Sequence, residues 1–209
     1  MAESIEPRLA AGLAQLGLPL APGQVQALLK LVDALAEWNT RVNLTAIRSP
    51  ADMVDKHLLD SLAVLPLLKG LAIADVGTGA GFPGLPLAIA DPDRRYTLVE
   101  ATGKKVAFVR RAAGMLDLPN VEVVQARAES YRPHRPFDCV LSRALGTLSE
   151  FIRVAGHLAG ARGRLLALKG KVPEAEIAAL PEGWKPVAVH PVAIPGLDAE
   201  RCVVELAKV

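Results

Sequence analysis

Aromatic side chains are scarce in this chain: 4% of its 209 residues are Phe, Tyr or Trp, which leaves few rings for stacking on bases. Cysteine is scarcer still. Cys139 and Cys202 each lie in an apolar stretch that reads as a strand. That placement speaks against a disulfide framework and against a cysteine metal site. The four histidines are scattered without ligand spacing, so no metal is expected. The N-terminal stretch has no basic region leading into an apolar run, and no signal peptide is expected. No uninterrupted apolar stretch reaches the roughly 18 residues that a membrane span needs. These absences point to a soluble, cytoplasmic protein with no membrane partner. Disorder is excluded by composition, because 51% of the residues are hydrophobic.

Charge is nearly balanced overall, at +2, but it is unevenly distributed. Residues 1–102 carry 8 Lys/Arg against 11 Asp/Glu, a net −3. Residues 103–171 carry 13 against 5, a net +8, and residues 172–209 carry 3 against 6, a net −3. A basic middle between acidic ends suits a surface that faces a polyanion. It equally suits Lys and Arg on solvated helix faces, and charge alone does not choose.

Two patterns divide the chain. Residues 1–70 read as helices. Leu9, Leu13, Leu16 and Leu18 form a stripe broken by Gly17 and Pro19. Pro22 opens a second helix, with Val25, Leu28, Leu29, Val32 and Leu35 on one face, ending near Asn39. Ser49-Pro50 has the cap-then-proline form of a third helix start, covering Pro50 to Leu59, and a further helical turn runs Ser61–Leu68. From residue 71 strands and helices alternate. Strand-like runs are Leu71–Val76, Tyr96–Glu100, Val121–Gln125, Phe137–Ser142 and Arg164–Lys169. Helical stretches fall between them at Gly84–Ala90, Lys104–Leu116, Thr147–Leu158 and Glu174–Leu180. This alternation predicts an α/β fold with a mostly parallel sheet covered on both faces. Two last runs, Pro186–Ile194 and Cys202–Leu206, are joined too closely for a crossover helix, so they are expected to pair antiparallel. The expected organisation is a helical extension, 1–70, packed on a sheet domain, 71–209, as one structural unit.

The first strand runs into Asp75-Val-Gly-Thr-Gly-Ala-Gly-Phe-Pro-Gly84. A glycine loop between a strand and a helix places backbone N–H groups at the carboxyl edge of the sheet, where open α/β sheets bind ligands. Its glycines satisfy two overlapping spacings, one of them the dinucleotide fingerprint Gly79-x-Gly81-x-x-Gly84. Glu100 ends the second strand about twenty residues on, where a carboxylate accepts from both ribose hydroxyls; this serves NAD and S-adenosylmethionine alike. Asp75 separates them. Beside the loop it would repel a pyrophosphate and attract a cation, and S-adenosylmethionine carries an ammonium and a sulfonium but no phosphate. The alternative role for Asp75 is a hydrogen-bonded acid closing the turn. A P-loop is excluded, since no Gly-Lys-Ser/Thr follows.

The loop from Asp75 to Gly84, continued by Leu85-Pro86, resembles a known family. Asn43-Leu-Thr45, His57-Leu-Leu-Asp-Ser61, Ser142-Arg-Ala144 and Ala167-Leu-Lys-Gly170 support the likeness, in order, from about Leu28 to Val204. The family is the bacterial 16S ribosomal RNA guanine-N7 methyltransferases of the glucose-inhibited-division B type. The resemblance implies a Rossmann-like S-adenosylmethionine-dependent methyltransferase sheet, mostly parallel with an antiparallel C-terminal strand, plus N-terminal helices. It implies methylation of guanine N7 in the 530 loop, with 16S RNA or the small ribosomal subunit as partner; a monomer is expected. Another RNA or a small molecule is the alternative acceptor. For cofactor contacts it implies Gly77 and Phe82 about the methionine and sulfonium; Asp75 and Gly79 are the further cofactor candidates of the same loop. Glu100, Ala101 and Thr102 would lie at the ribose and adenine, Ala128 and Glu129 at the adenine, and Arg143 at the site itself.

Guanine N7 has an exposed lone pair and is already deprotonated at neutral pH, so methyl transfer needs no general base; proximity and orientation carry it. The sequence agrees with this. The Asn/Asp-Pro-Pro-aromatic tetrad common in amino-group methyltransferases is replaced here by Ser142-Arg-Ala-Leu145, and no cysteine lies on a loop to serve as a nucleophile. Arg143 is the candidate positioning residue, holding guanine O6 or the cofactor; otherwise it pairs with a local acid such as Glu100 or Glu129. Lys104, Lys105, Arg110 and Arg111 on one helix, with Lys169 and Lys171 at the fifth strand end, are the expected phosphate contacts beside Arg143. Phe82 is the only loop ring that could stack on a flipped guanine. His57 reads as a packed, hydrogen-bonded histidine ahead of a ligand contact; Asn43 and Thr45 suit loop ordering as well as RNA contact, and Asp60 suits a helix cap equally with a ligand contact.

Overall fold

The computed structural model describes residues 5–143 and 145–209. Ala144, the last residue of the Ser142-Arg-Ala144 motif, lies outside them.

Three helical segments precede the sheet. Helix α1 (Glu6–Gln15) stops at Gly17, whose φ of +66° sends the chain back so that Leu18 N–H donates to Leu13. Helix α2 (Pro22–Asn39) starts on a proline and buries Leu28, Leu31, Val32 and Leu35 on one face. The third helix is not the uniform α-helix that its sequence suggests. It opens as α3 (Pro50–Met53) with Ser49 Oγ as N-cap, continues as a π-helical stretch Val54–Leu59, and ends as α4 (Asp60–Leu62). The turn expected over Ser61–Leu68 narrows to a 3-10 turn, Leu65–Leu67.

Seven strands form one sheet: β1 (Ala72–Val76), β2 (Arg95–Glu100), β3 (Val121–Gln125), β4 (Phe137–Ser142), β5 (Ala159–Lys169), β6 (Trp184–Pro191) and β7 (Cys202–Lys208). Their spatial order is β3-β2-β1-β4-β5-β7-β6. Strands β1 to β5 run parallel, and β7 is antiparallel to both neighbours. The late pair is antiparallel as its short connection requires. That β7 enters between β5 and β6 was not legible in the sequence. Strand β5 also begins five residues before its apolar run, because Ala159 pairs with Phe137 across a bulge.

Helices α5 (Gly84–Ala90) and α6 (Gly103–Met115) cover one face, and α7 (Leu148–Ala155) with α8 (Glu174–Ala178) the other. Alternation along the strands feeds both cores: Ile73, Leu98 and Leu141 point to the first, Ala74, Val140 and Leu165 to the second. The N-terminal helices join the first core, Leu9, Leu28 and Leu58 packing into the cluster that holds Ile73 and Leu85. Gln24 Nε2 reinforces the contact by donating to Ile89 and Ala90 carbonyls at 2.9 and 3.0 Å. From β1 the chain winds one way to β2 and β3, and from β4 the other way to β5. A crevice therefore opens between β1 and β4 at their carboxyl ends, the position where such sheets take ligands.

Candidate functional site

The glycine loop leaves β1 at this crevice. Gly77, Gly79 and Gly81 have φ of +68°, +63° and +88°, a region that costs any residue with a Cβ. Gly84, at the start of α5, is required for a different reason: a Cβ there would lie 2.1 Å from Leu98 Cδ2 and 2.9 Å from Asp75 Oδ2. The loop is anchored on β2, with Gly77 and Thr78 N–H donating to the Val99 carbonyl. The Phe82–Pro83 peptide bond is cis.

Asp75 is fully buried. Its Oδ2 accepts from Thr78 Oγ1 at 2.6 Å and Gly84 N at 2.8 Å, so it does close the turn. Its Oδ1 is equally buried and has no hydrogen-bond partner. Burial, opposed by those two hydrogen bonds, raises the carboxyl to about 6. An anion with one unsatisfied oxygen beside the loop is a fitting neighbour for a cationic group and a poor one for phosphate. Glu100, at the end of β2, accepts from Gly79 N at 3.0 Å through Oε2 and from Thr102 N at 2.8 Å through Oε1. Each of its oxygens keeps a lone pair, so the acid holds the loop and still has acceptor capacity for a diol. Ala101 and Thr102 are exposed, Ala128 is buried in a 3-10 turn after β3, and Glu129 is exposed next to it.

Four expectations change on contact with the structure. Arg143 does not pair with Glu100 or Glu129. Its Nη1 donates to Asp60 Oδ2 at 3.2 Å and to the Lys56 carbonyl at 3.3 Å, because the third helix packs across the end of β4. Asp60 is accordingly not a cap: it is buried, and its Oδ1 accepts from Arg201 Nε at 3.0 Å. Phe82 presents no free face for a base. It is 2% exposed and stacks on His57, with ring centroids 4.7 Å apart and planes at 21°. Lys169 is committed to protein partners, donating to the Gly146 carbonyl at 2.6 Å and to Glu176 at 3.0 Å. Lys171, at the same strand end, has a side chain 88% exposed, with its Nζ 3.9 Å from Glu200.

His57 is the packed histidine its sequence context suggests. Its Nε2 lies 3.0 Å from Thr45 Oγ1. Burial and the neighbouring Arg143 lower it to about 4, so it is neutral near pH 7. Thr45 orders its loop, but the residue that organises the segment is Asn39, at the end of α2. Its Oδ1 accepts from Leu44 and Thr45 N–H, and its Nδ2 donates to the Thr45 and Ile47 carbonyls. An asparagine ending an apolar helical stripe was the available signal. Arg201 carried none, since it meets Asp60 across 141 positions of sequence. On α6, Lys104, Arg110 and Arg111 are exposed and Lys105 half-buried; none of the four has an acidic partner among the described residues. Both cysteines are buried and free, and burial pushes the Cys139 thiol up to about 12, which leaves it without nucleophilic character.

The sheet order with β7 inserted antiparallel, the glycine loop after β1 and the acid ending β2 define the class: the Rossmann-like fold of the S-adenosylmethionine-dependent methyltransferases. The glycopeptide N-methyltransferase MtfA, solved with S-adenosylhomocysteine, superposes with a TM-score of 0.62 over 73% of this chain and 87% of its own, at 11% identity. Sequence narrows the class. Residues 24–204 match the family model described as GidB, rRNA small subunit methyltransferase G. The ribosomal RNA small subunit methyltransferase G of Azoarcus sp. (strain BH72) is 46% identical over 202 residues, 96% of this chain and 95% of that one. Its namesake in Xanthomonas campestris pv. campestris (strain 8004) is 49% identical over 181 residues, 87% of this chain and 85% of its own. The chain belongs to the GidB family.

Proposed function

We propose that this chain transfers the methyl group of S-adenosylmethionine to N7 of a guanine in the 530 loop of 16S ribosomal RNA. The observation that carries the reading is the conjunction at the crevice. A glycine cradle holds a buried carboxylate with an unsatisfied oxygen, and Arg143 stands on the opposite side. The names of the relatives supply the RNA.

When bound, the cofactor supplies a methyl group on a positively charged sulfur. Asp75 and the close-lying glycine backbone at Gly77 and Gly79 would hold its amino-acid part, Glu100 the ribose hydroxyls, and the turn at Ala101-Thr102 with Ala128-Glu129 the adenine. Arg143, with Nη1 fixed on Asp60 and Lys56, is oriented before substrate arrives and positions the base through O6. It does not face N7, because the base becomes cationic as N7 takes the methyl and a guanidinium there would oppose transfer. No side chain is required to take a proton. The cations of α6, together with the exposed Lys171, bind the phosphate backbone. Incubation of 16S RNA, free and assembled into small subunits, with isotope-labelled cofactor, followed by mass spectrometry of the digested RNA, tests the reading. Label on a 7-methylguanosine of the 530 loop is the expected result; label elsewhere, or none on either substrate, refutes it.

A further inference from the structure

One cavity beside the crevice shares only Arg143 with the residues expected to contact the cofactor. It has a volume of about 480 Å³ and lies between the π-helical stretch with α4, the ends of β4 and β5, and the segment leading into β7. Arg143 and His57 stand at its border with the crevice: both line the cavity, and His57 stacks on Phe82 of the glycine loop. Val64, Leu168, Ile194 and Leu197 supply apolar walls. One anion, Asp60, lies among them, held between Arg201 on Oδ1 at 3.0 Å and Arg143 on Oδ2 at 3.2 Å.

We propose that this cavity receives the acceptor guanine and that Asp60 selects it by its N1–H and N2–H edge. The inference rests on the guanine-N7 reading given above. Apolar walls suit the faces of a base, and the volume is in the ordinary range for a small-ligand pocket. A carboxylate oxygen accepts more than one hydrogen bond, so Asp60 keeps one acceptor position on each oxygen after both arginines are counted. Guanine alone among the RNA bases presents two adjacent, parallel donors to such a pair. Adenine would turn its N1 lone pair to the carboxylate, and the pyrimidines have no matching pair.

The order of groups along the cavity fits the order around the base. With N2–H on the Oδ1 side, next to Arg201, N1–H falls on Oδ2. O6 then comes against Arg143, and N7 follows, turned to the glycine loop. Methylation moves one positive charge from sulfur to the base, where it is delocalised over the ring and strengthens N1–H as a donor. Asp60 therefore binds the product-like charge more tightly than the neutral base, an interaction that grows along the reaction. Lys56, within the π-helical stretch, offers its carbonyl to Arg143 at 3.3 Å, so that the guanidinium is held from two sides.

The test compares 16S RNA carrying guanosine or inosine at the position found methylated. Inosine keeps N7, O6 and N1–H and lacks only the N2 amino group. Wild type should prefer guanosine by about 10- to 100-fold in kcat/KM. In Asp60→Asn the preference should fall to within about threefold, whatever the loss in absolute rate, because each variant serves as its own reference. An unchanged preference in Asp60→Asn overturns the assignment of Asp60. Wild type methylating neither RNA at N7 would instead overturn the guanine-N7 reading itself, and this inference with it. A second variant covers a failure of Asp60→Asn to fold. Leu197→Trp fills the cavity from an irregular segment; it should lower methyl transfer by about 100-fold or more while S-adenosylhomocysteine affinity stays within about threefold. Transfer at the wild-type rate in that variant would show that the base lies elsewhere.

Discussion

Asp75→Asn tests whether the buried carboxylate senses a cationic ligand. Burial holds the carboxyl of the free protein at about 6. It is therefore mostly ionised at pH 7 and about one-tenth ionised at pH 5. A ligand ammonium near Asp75 favours the ionised form, so binding releases the proton, and affinity is nearly full at about pH 7 and falls as pH drops through about 6. With the bound carboxylate ionised throughout, the loss between pH 7 and pH 5 is about tenfold, or ~1.4 kcal/mol. S-adenosylhomocysteine is the suitable probe, because its ammonium and carboxylate keep their charges over that range. Calorimetric titration should show this decline. Repeating it in buffers of different ionisation enthalpy at pH 5 should show close to one proton released per ligand bound. An amide at this position cannot titrate, so the variant should bind more weakly at pH 7 and lose the pH dependence. A flat wild-type profile, or an equal slope in the variant, would refute the assignment of Asp75 to the cationic end of the cofactor.

The remaining predictions concern stability and RNA. His57 has a folded pKa of about 4, below its ordinary 6.5, so stability is lost as pH falls from 6.5 to 4, by up to ~1.4 kcal/mol per unit. His57→Gln removes that slope; in urea melts its deficit against wild type should shrink with falling pH, and a constant deficit would refute the buried neutral histidine. Asp75 has the opposite sign: its folded pKa is raised, so its contribution weakens the fold as pH rises from 3.8 to about 6, and the two slopes oppose each other near pH 5. Gly79→Ala meets only backbone strain and should cost about 1–2 kcal/mol. Gly81→Ala adds a Cβ 2.4 Å from Leu85 Cδ1 and should cost about 2–4 kcal/mol; equal losses would contradict the loop geometry. Replacing Lys104, Lys105, Arg110 and Arg111 with Gln should leave S-adenosylhomocysteine affinity unchanged. RNA binding should weaken, and the slope of log affinity against log salt should shrink by about 3–4 if all four touch phosphates.

Amino-acid sequence alone determined the strands and the loop of this protein. Apolar runs bounded by Gly, Pro and Asp are local signals, and a loop needing three positive φ angles admits few residues but glycine. Asp75 and Glu100 were legible for the same reason, since each sits where its strand ends. The antiparallel last pair followed from the length of its connection. Tertiary structure decided the partners. Arg143 finds Asp60 at a separation of 83 positions and Arg201 finds the same acid at 141, distances over which neither periodicity nor spacing carries information. Lys169 had the residue type and strand position of a phosphate contact, yet the chain returns in α8 and brings Glu176 to it. Phe82 likewise had a ring free to stack only until His57 covered it. Local sequence specifies backbone conformation, whereas the charge available to a ligand depends on which distant side chain has already claimed it. That dependence also explains why the cavity around Asp60 had no sequence signature: its walls come from segments far apart in the chain that meet only after the N-terminal helices close over the ends of β4 and β5.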